Sequence, residues 1–373
     1  MSTWAPLAGL RIVEACQRLI GPLAGWHLAM LGGNVVKVEP HAGDIARSWG
    51  GGLMFDVINA QKSCAAFDLE NARERSSFAR LCAAADIVLA DASWSESAAL
   101  AACRNAHACV RSLVVVDDGA VPGGTGSTET LAQAAMAVTG YLGEPEGRRQ
   151  RLGADIGSAS AAAAATQAAL AGIIKENSAG PLVSRVSIDR ALANLKTIHW
   201  AARSDPDEWA GYHVTAISRR PDRGYRVRDG AISLDFLPDQ HADWRALCEE
   251  IGLGAFADEV GKDWFSTVGM EDRVDWARPQ YERAFANYDQ DQAIALIRKH
   301  NGWSVPFLQA DEALRHPQSR LYASAFLDGD ATTVRLPWRI NNEPQAMHRP
   351  RPAPAIGAHT KEVLASLGAE AMT

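Results

Sequence analysis

The feature that most constrains this chain is a strand, helix, strand pattern close to its N-terminus. Leu10-Arg11-Ile12-Val13-Glu14, after Gly9, is a short β-branched run that predicts a strand. Gly21-Pro22 breaks the chain, Leu23 to Leu31 has helical character, and Gly32-Gly33 supplies a helix stop. Val35 to Val38 predicts a second strand, which completes a βαβ unit. The alternation continues with a strand at Ala65–Leu69, a helix at Asn71–Ala84, and strands at Ile87–Leu89 and Leu113–Val116. A chain patterned this way folds as an α/β domain with a mostly parallel sheet covered on both faces. Thr130 to Ile174 is helical and rich in Ala. A polar stretch with Pro and Gly over 204–228 predicts a linker, and the patterns beyond it predict a smaller α+β unit.

The chain has 373 residues, enough for about two domains of roughly 100–200 residues each. Its net charge is −7, so it lacks the wide positive field that nucleic acid or anionic membrane attracts, and no partner of either kind is expected. The six cysteines form no CxxC pair and no His cluster has metal-ligand spacing, so no metal site is expected. Scattered cysteines in apolar runs predict buried reduced thiols and a cytoplasmic location. Met1-Ser2-Thr3-Trp4 begins without a basic or apolar leader pattern, and the Ala-rich run Ala159 to Ala171 is too short and small-sided for a membrane span.

Familiar nucleotide and hydrolase motifs are missing. The first βα turn reads Ala15-Cys16-Gln17-Arg18-Leu19-Ile20-Gly21-Pro22, without the GxGxxG that lets backbone approach a pyrophosphate. There is no P-loop and no GxSxG elbow. The glycines of Gly119 to Gly126 predict a flexible loop.

Several segments, in order, resemble the class III coenzyme A transferase family, whose relatives include the α-methylacyl-CoA racemases. They are Pro6-Leu7-Ala8-Gly9-Leu10-Arg11-Ile12-Val13-Glu14, Gly21-Pro22, Leu31-Gly32-Gly33-Asn34-Val35-Val36-Lys37-Val38-Glu39-Pro40, Gly43-Asp44 with Arg47, Asn59 with Lys62, and Asp68-Leu69. Val305-Pro306, His316-Pro317-Gln318, and Pro354-Ala355-Ile356-Gly357-Ala358-His359-Thr360 with Glu362-Val363-Leu364 extend the match to the C-terminus. The resemblance implies a Rossmann-like large domain built from 1–203 and 325–373, a linker at 204–228 and a small α+β domain at 229–324. It also implies an interlocked-ring homodimer.

The family's catalytic aspartate opens an apolar helix, and Leu152-Gly153-Ala154-Asp155-Ile156-Gly157-Ser158 matches that context. Asp155 is therefore the expected nucleophile toward an acyl-CoA substrate, passing through an aspartyl anhydride and an aspartyl-CoA thioester before a carboxylic acid accepts the coenzyme. By itself an Asp in this place reads as a helix N-cap. Glu129 matches an acidic position near the family's active site; on its own it reads as a solvated helix-start Glu. The backbone N–H groups of Ile156 and Gly157 are expected to face the oxyanion. Coenzyme A, a substrate with no tightly bound cofactor beside it, is expected against Arg18, Leu19, Ile20, Pro40, Arg47, Phe67, Asp91, Ala92, Ile156 and Gly157. Racemase relatives need a His beside the Glu129 position, where this chain has Thr128.

The match has departures. Asp91-Ala92 stands where the family usually has Asn-Phe, Glu70 replaces a basic residue, and Ala179-Gly180-Pro181-Leu182 replaces a Gly-x-Gly-Gln segment. The expected glycine-rich lid region holds only Gly211 and Gly224. A heteromer with a homologous subunit that supplies coenzyme contacts, and a non-catalytic acyl-CoA-binding homologue, therefore stay open beside the homodimeric enzyme. Arg148, Arg149 and Arg151 read as a solvated loop or an anion-steering patch. His316 marks a turn, His359 a helix-start contact, and Trp26 and Trp49 read as core residues or as walls of an acyl pocket.

Overall fold

The computed structural model describes residues 5–104, 108–117, 128–141, 151–175, 180–197, 224–268, 274–321, 325–328, 331–337 and 351–370. The Gly119–Gly126 loop, His107, Arg148, Arg149 and the 204–223 part of the expected linker lie outside the described residues.

The β-branched runs pair as one sheet. β1 (Arg11–Ala15) lies between β2 (Asn34–Glu39) and β4 (Ile87–Asp91), with Val13 opposite both Val36 and Val88. β3 (Ser63–Ala66) flanks β2, while β5 (Ser112–Asp117) and β6 (Leu182–Ser187) continue beyond β4. All six strands are parallel in the order β3-β2-β1-β4-β5-β6. The winding reverses between β1 and β4, and the crevice outside the carboxyl ends there is where open α/β sheets take ligands. Every residue of β4 is buried, as a strand covered on both faces requires.

Helix α1 (Ile20–Met30) begins three residues earlier than the Gly21-Pro22 break predicts. Pro22 sits in the first turn, where an N–H would have no intrahelical acceptor, so the proline costs the helix nothing. Gly32, at φ +91, takes the left-handed conformation just past the helix and donates to Ala29 O. α2 (Leu53–Asn59), α3 (Ala72–Ala83) and α4 (Glu96–Cys103) follow. The long Ala-rich region resolves into α5 (Thr128–Ala135) and α6 (Ile156–Ile174), and α7 (Ile188–Leu195) comes after β6. By length and composition α6 could cross a membrane, but its Gly157, Ala161, Ala162, Ala165 and Ala169 side is buried in the protein.

The described residues fall into two compact units. The first takes those within Met1–Met136, Leu152–Thr197 and Pro317–Thr373; the second takes those within Ala137–Arg151 and Ile198–His316. In the first unit the chain's end docks on β3. Cys64 N–H donates to His359 Nδ1 at 3.1 Å, His359 N–H donates to Cys64 O at 2.8 Å, and Ala66 N–H donates to Thr360 Oγ1 at 3.0 Å. The helix Thr360–Glu370 then adds Val363 and Leu367 to the cluster around Phe78 and Cys82. The second unit has its own core around Trp244, Tyr281, Phe285 and Ile297, in which Trp244 Nε1 donates to Tyr281 Oη at 2.7 Å. Its β7 (Tyr225–Val227) pairs with β8 (Gly230–Ile232), so residues expected in the linker form a strand. Tyr225 and Val227 are apolar and buried, which separates them from the polar stretch before them. Five cysteines are buried free thiols, whereas Cys109 is exposed.

Candidate active site

Two clusters of functional side chains form in the first unit. One lies at the carboxyl ends of β1, β2 and β4, where six charged groups interlock. Lys37 Nζ stands 3.3 Å from Glu14 Oε1 and 2.9 Å from Asp44 Oδ2, and Lys62 Nζ stands 3.0 Å from Glu14 Oε2. Lys62 also donates to Pro22 O at 2.7 Å and Asn59 Oδ1 at 2.8 Å. Arg47 grips Glu39 with two bonds of 2.8 and 2.7 Å and reaches Pro354 O at 2.9 Å. Buried charges persist only when partnered in this way. Burial pulls Lys37 down, but Glu14, Asp44 and Glu39 outweigh it and raise it above the usual lysine range. Burial also lowers Lys62, and with Lys37 nearby it falls to about 8 despite Glu14. Burial alone would raise Glu39; the bonds from Arg47 and the charge of Lys37 reverse this and hold it below the usual carboxylate range.

This lattice fixes the loop after β1. Lys37 donates to Cys16 O at 2.8 Å, and Asp44 Oδ1 accepts from Arg18 N–H at 3.0 Å. Arg18 has φ +69, an uncommon conformation for a side chain of this size, and strain of that kind concentrates at functional sites. Ser95 staples the switch point: its Oγ donates to Ala15 O at 2.6 Å and accepts from Asp91 N–H at 2.9 Å. Helix α1 approaches closely because Gly25 has no side chain. A Cβ there would stand 3.0 Å from Glu14 Cγ and 3.2 Å from Lys62 Nζ.

Arg18, Leu19, Ile20, Asp91 and Ala92 lie at the carboxyl ends of β1 and β4, where open α/β sheets take ligands. Asp91 does not face the crevice as a bare acid. It is buried and accepts from Ser93 N–H at 2.8 Å, Ser93 Oγ at 2.6 Å and Gln17 N–H at 3.4 Å. Pro40 follows β2 and is half-buried. Two expected coenzyme contacts need correction. Phe67 is 1% exposed and packs on Phe78 in the core, so it has no face for a ligand. The Arg47 guanidinium is committed to Glu39 and lies 3.9 Å over the Phe55 ring. Trp26 is buried beside His27, while Trp49 is 38% exposed in a glycine-rich turn.

The second cluster surrounds the start of α6. Asp155 is the exposed residue before the helix, with φ −86 and ψ 59, and its side chain makes no capping bond. The N-cap reading of Asp155 is thus corrected: Glu129 of α5 supplies the cap from another helix. Glu129 accepts from Gly157 N–H at 3.0 Å, Ser158 N–H at 2.8 Å, Ser158 Oγ at 2.7 Å and Gln133 Nε2 at 2.7 Å. At 4% exposure, burial would raise its carboxyl, but these bonds prevail and hold it below the usual range. Neither a solvated Glu nor a proton-transfer group near neutral pH fits those contacts. Gly157 N–H points to Glu129 and is not an oxyanion donor. Ile156, at the first helical position, has by geometry no intrahelical acceptor.

The two clusters are tied by helix packing, since His27 Nδ1 of α1 and Thr166 Oγ1 of α6 are 3.2 Å apart. Among the described residues no three His, Cys, Asp or Glu side chains gather as a metal site. Gln133, Ser158 and Lys62 were not singled out for their bonds by sequence. The available signal was spacing: Gln133 lies four residues after Glu129, hence on the same helical face.

A family model described as CoA-transferase family III matches residues 7–360. A succinate–glutarate CoA-transferase of Agrobacterium fabrum is 24% identical over 392 residues, covering 97% of this chain and 96% of that protein. A protein of Mycobacterium tuberculosis named as a probable fatty acyl-CoA transferase is 25% identical over 273 residues, 66% of this chain and 69% of its own length. The solved structure of a CaiB/BaiF family protein from Brucella suis superposes with a TM-score of 0.75 at 17% identity, covering 97% of this chain and 99% of that one.

Proposed function

The chain belongs to CoA-transferase family III, and on that premise we propose that it moves coenzyme A between an acyl-CoA thioester and a free carboxylic acid, with Asp155 as the covalent carrier. The observation that carries this reading is the cap exchange at α6. Glu129 takes the first-turn N–H bonds, so the exposed Asp155 carboxylate stands at the positive end of the helix without serving as its cap.

In this mechanism the Asp155 carboxylate attacks the thioester carbonyl, the C–S bond breaks, and coenzyme A leaves as thiolate with an aspartyl anhydride in place. The thiolate then attacks the aspartyl carbonyl and releases the donor acid. The acceptor carboxylate repeats both steps in reverse, and no net proton is consumed. The helix N-terminal field and Ile156 N–H favour each tetrahedral oxyanion. The coenzyme lies across the β1/β4 switch point, against Arg18, Leu19, Ile20 and Ala92.

Short dicarboxylic acids come first among the acids to assay, because the relative matched over nearly its whole length is named for succinate and glutarate. A homodimer in the cytoplasm belongs to the same proposal; sedimentation of the purified chain tests the assembly. The decisive experiment incubates the protein with acyl-CoA, traps the enzyme-bound aspartyl thioester with hydroxylamine as a hydroxamate and maps it by mass spectrometry. Modification at Asp155, and loss of exchange in Asp155→Ala, is the expected result. Full exchange activity in Asp155→Ala overturns the reading.

A further inference from the structure

We propose that Gln133 is a positioning residue for Asp155: its buried amide clamps the Leu152–Ala154 turn and thereby sets where the aspartate carboxylate stands. The inference rests on the aspartyl reading above and adds a residue that reading does not require.

Gln133 lies on α5 and is fully buried. Its Oε1 accepts from Leu152 N–H at 3.0 Å. Its Nε2 donates to Ala154 O at 3.0 Å and to Glu129 Oε1 at 2.7 Å. Both amide hydrogens and the oxygen thus have partners. The opposite amide orientation would set NH2 against an N–H and oxygen against two acceptors, so the network itself fixes the orientation.

The Ala154 carbonyl shares one rigid peptide plane with the Asp155 nitrogen. Holding that oxygen therefore holds the backbone from which the Asp155 side chain departs. On the other side, Glu129 holds the N–H groups of Gly157 and Ser158. Asp155 is bracketed between two clamps, and the Gln133–Glu129 bond joins them. Gly153, inside the turn, has nothing within 4 Å of where a Cβ would lie, so packing at that residue does not substitute for the amide clamp. A nucleophile that must approach the face of a thioester carbonyl at a set angle is sensitive to such placement, since a shift of about 1 Å can cost on the order of 100-fold in rate.

The test compares wild type, Gln133→Met and Gln133→Glu in single-turnover formation of the Asp155 adduct with acyl-CoA. Gln133→Met keeps length and loses all three bonds. Its adduct forms on the order of 100-fold more slowly, while the acyl-CoA KM stays within about threefold, because the clamp acts on placement and not on coenzyme contacts. Hydrogen exchange at Leu152 N–H accelerates in the same variant. In Gln133→Glu the rate relative to wild type recovers as pH falls, because a protonated carboxyl again offers a donor beside an acceptor. Wild-type adduct rate in folded Gln133→Met overturns the inference and leaves the aspartyl reading intact. If Gln133→Met does not fold, absence of acid-side recovery in Gln133→Glu overturns it instead. No Asp155 adduct in wild type, with exchange persisting in Asp155→Ala, overturns the aspartyl reading and this inference with it.

Discussion

Glu129→Gln separates a capping role from a proton-transfer role. The carboxylate receives four hydrogen bonds, two of them from the first-turn N–H groups of α6. An amide of the same size keeps one acceptor oxygen, which can serve Gly157 N–H and Gln133. Its NH2 then faces Ser158 N–H, donor against donor, while the Ser158 hydroxyl can rotate to accept. One charge-assisted bond is lost, worth about 1.5–3 kcal/mol, together with about 0.3–1 kcal/mol of charge–dipole attraction. The first turn of α6 is therefore destabilised by about 3 kcal/mol, or on the order of 100-fold in its opening equilibrium. Amide hydrogen exchange across Leu152–Ser160, read by mass spectrometry, measures this directly. The pH dependence has a defined sign. Because the folded Glu129 carboxyl is held below its ordinary value of 4.5, its contribution is complete above that value and is lost as pH falls through the folded one. Glu129→Gln lacks that acid limb. Wild-type exchange protection together with lost turnover would refute the capping assignment and return Glu129 to the chemistry.

Three further outcomes are expected. Arg47→Lys breaks the paired bonds to Glu39 and lowers stability by about 1–2 kcal/mol in urea unfolding, with acyl-CoA KM unchanged; a KM rise at unchanged stability would make Arg47 a coenzyme contact after all. Burial, with Lys62 nearby, lowers His27 from 6.5 to about 4, so its stabilising contribution is complete above pH 6.5 and is lost as pH falls toward 4; the urea midpoint of His27→Gln should therefore vary less over that window than that of wild type. Gly25→Ala drives a methyl toward Glu14 and Lys62 and costs about 1–3 kcal/mol by overpacking, which a lowered melting temperature detects.

The sheet was legible because its evidence is local. β-branched runs separated by Gly-Gly and Gly-Pro signals mark strands and helices whatever surrounds them. The order of strands beyond the first βαβ unit was not, since register and crossover choice depend on contacts between distant residues. Asp155 was singled out through the resemblance of its helix-opening segment to the family's, and its local reading as a cap does not hold, since its side chain makes no capping bond. The cap comes from Glu129, 26 residues earlier in the chain, and spacing along one helix says nothing about a donor on another. The burial of Phe67 and the pairing of Arg47 with Glu39 were hidden for the same reason: a motif position tells nothing of burial or prior engagement.

Charge shows the limit most clearly. The net charge of −7 suggests that a polyanionic coenzyme must find a concentrated positive patch or borrow one from a partner. In the lattice at the carboxyl ends of β1 and β2, however, Glu14, Glu39 and Asp44 balance Lys37, Lys62 and Arg47, three acids against three bases. Those six charges cancel within the protein and present little field to a ligand. Their effect is mechanical: they lock the loops after β1 and β2, and they hold Arg18 in a backbone conformation it would not adopt alone. The acidic balance therefore resides in other residues, and under the proposed function the attraction for coenzyme phosphates would depend on local donors at the switch point more than on the sign of the whole chain.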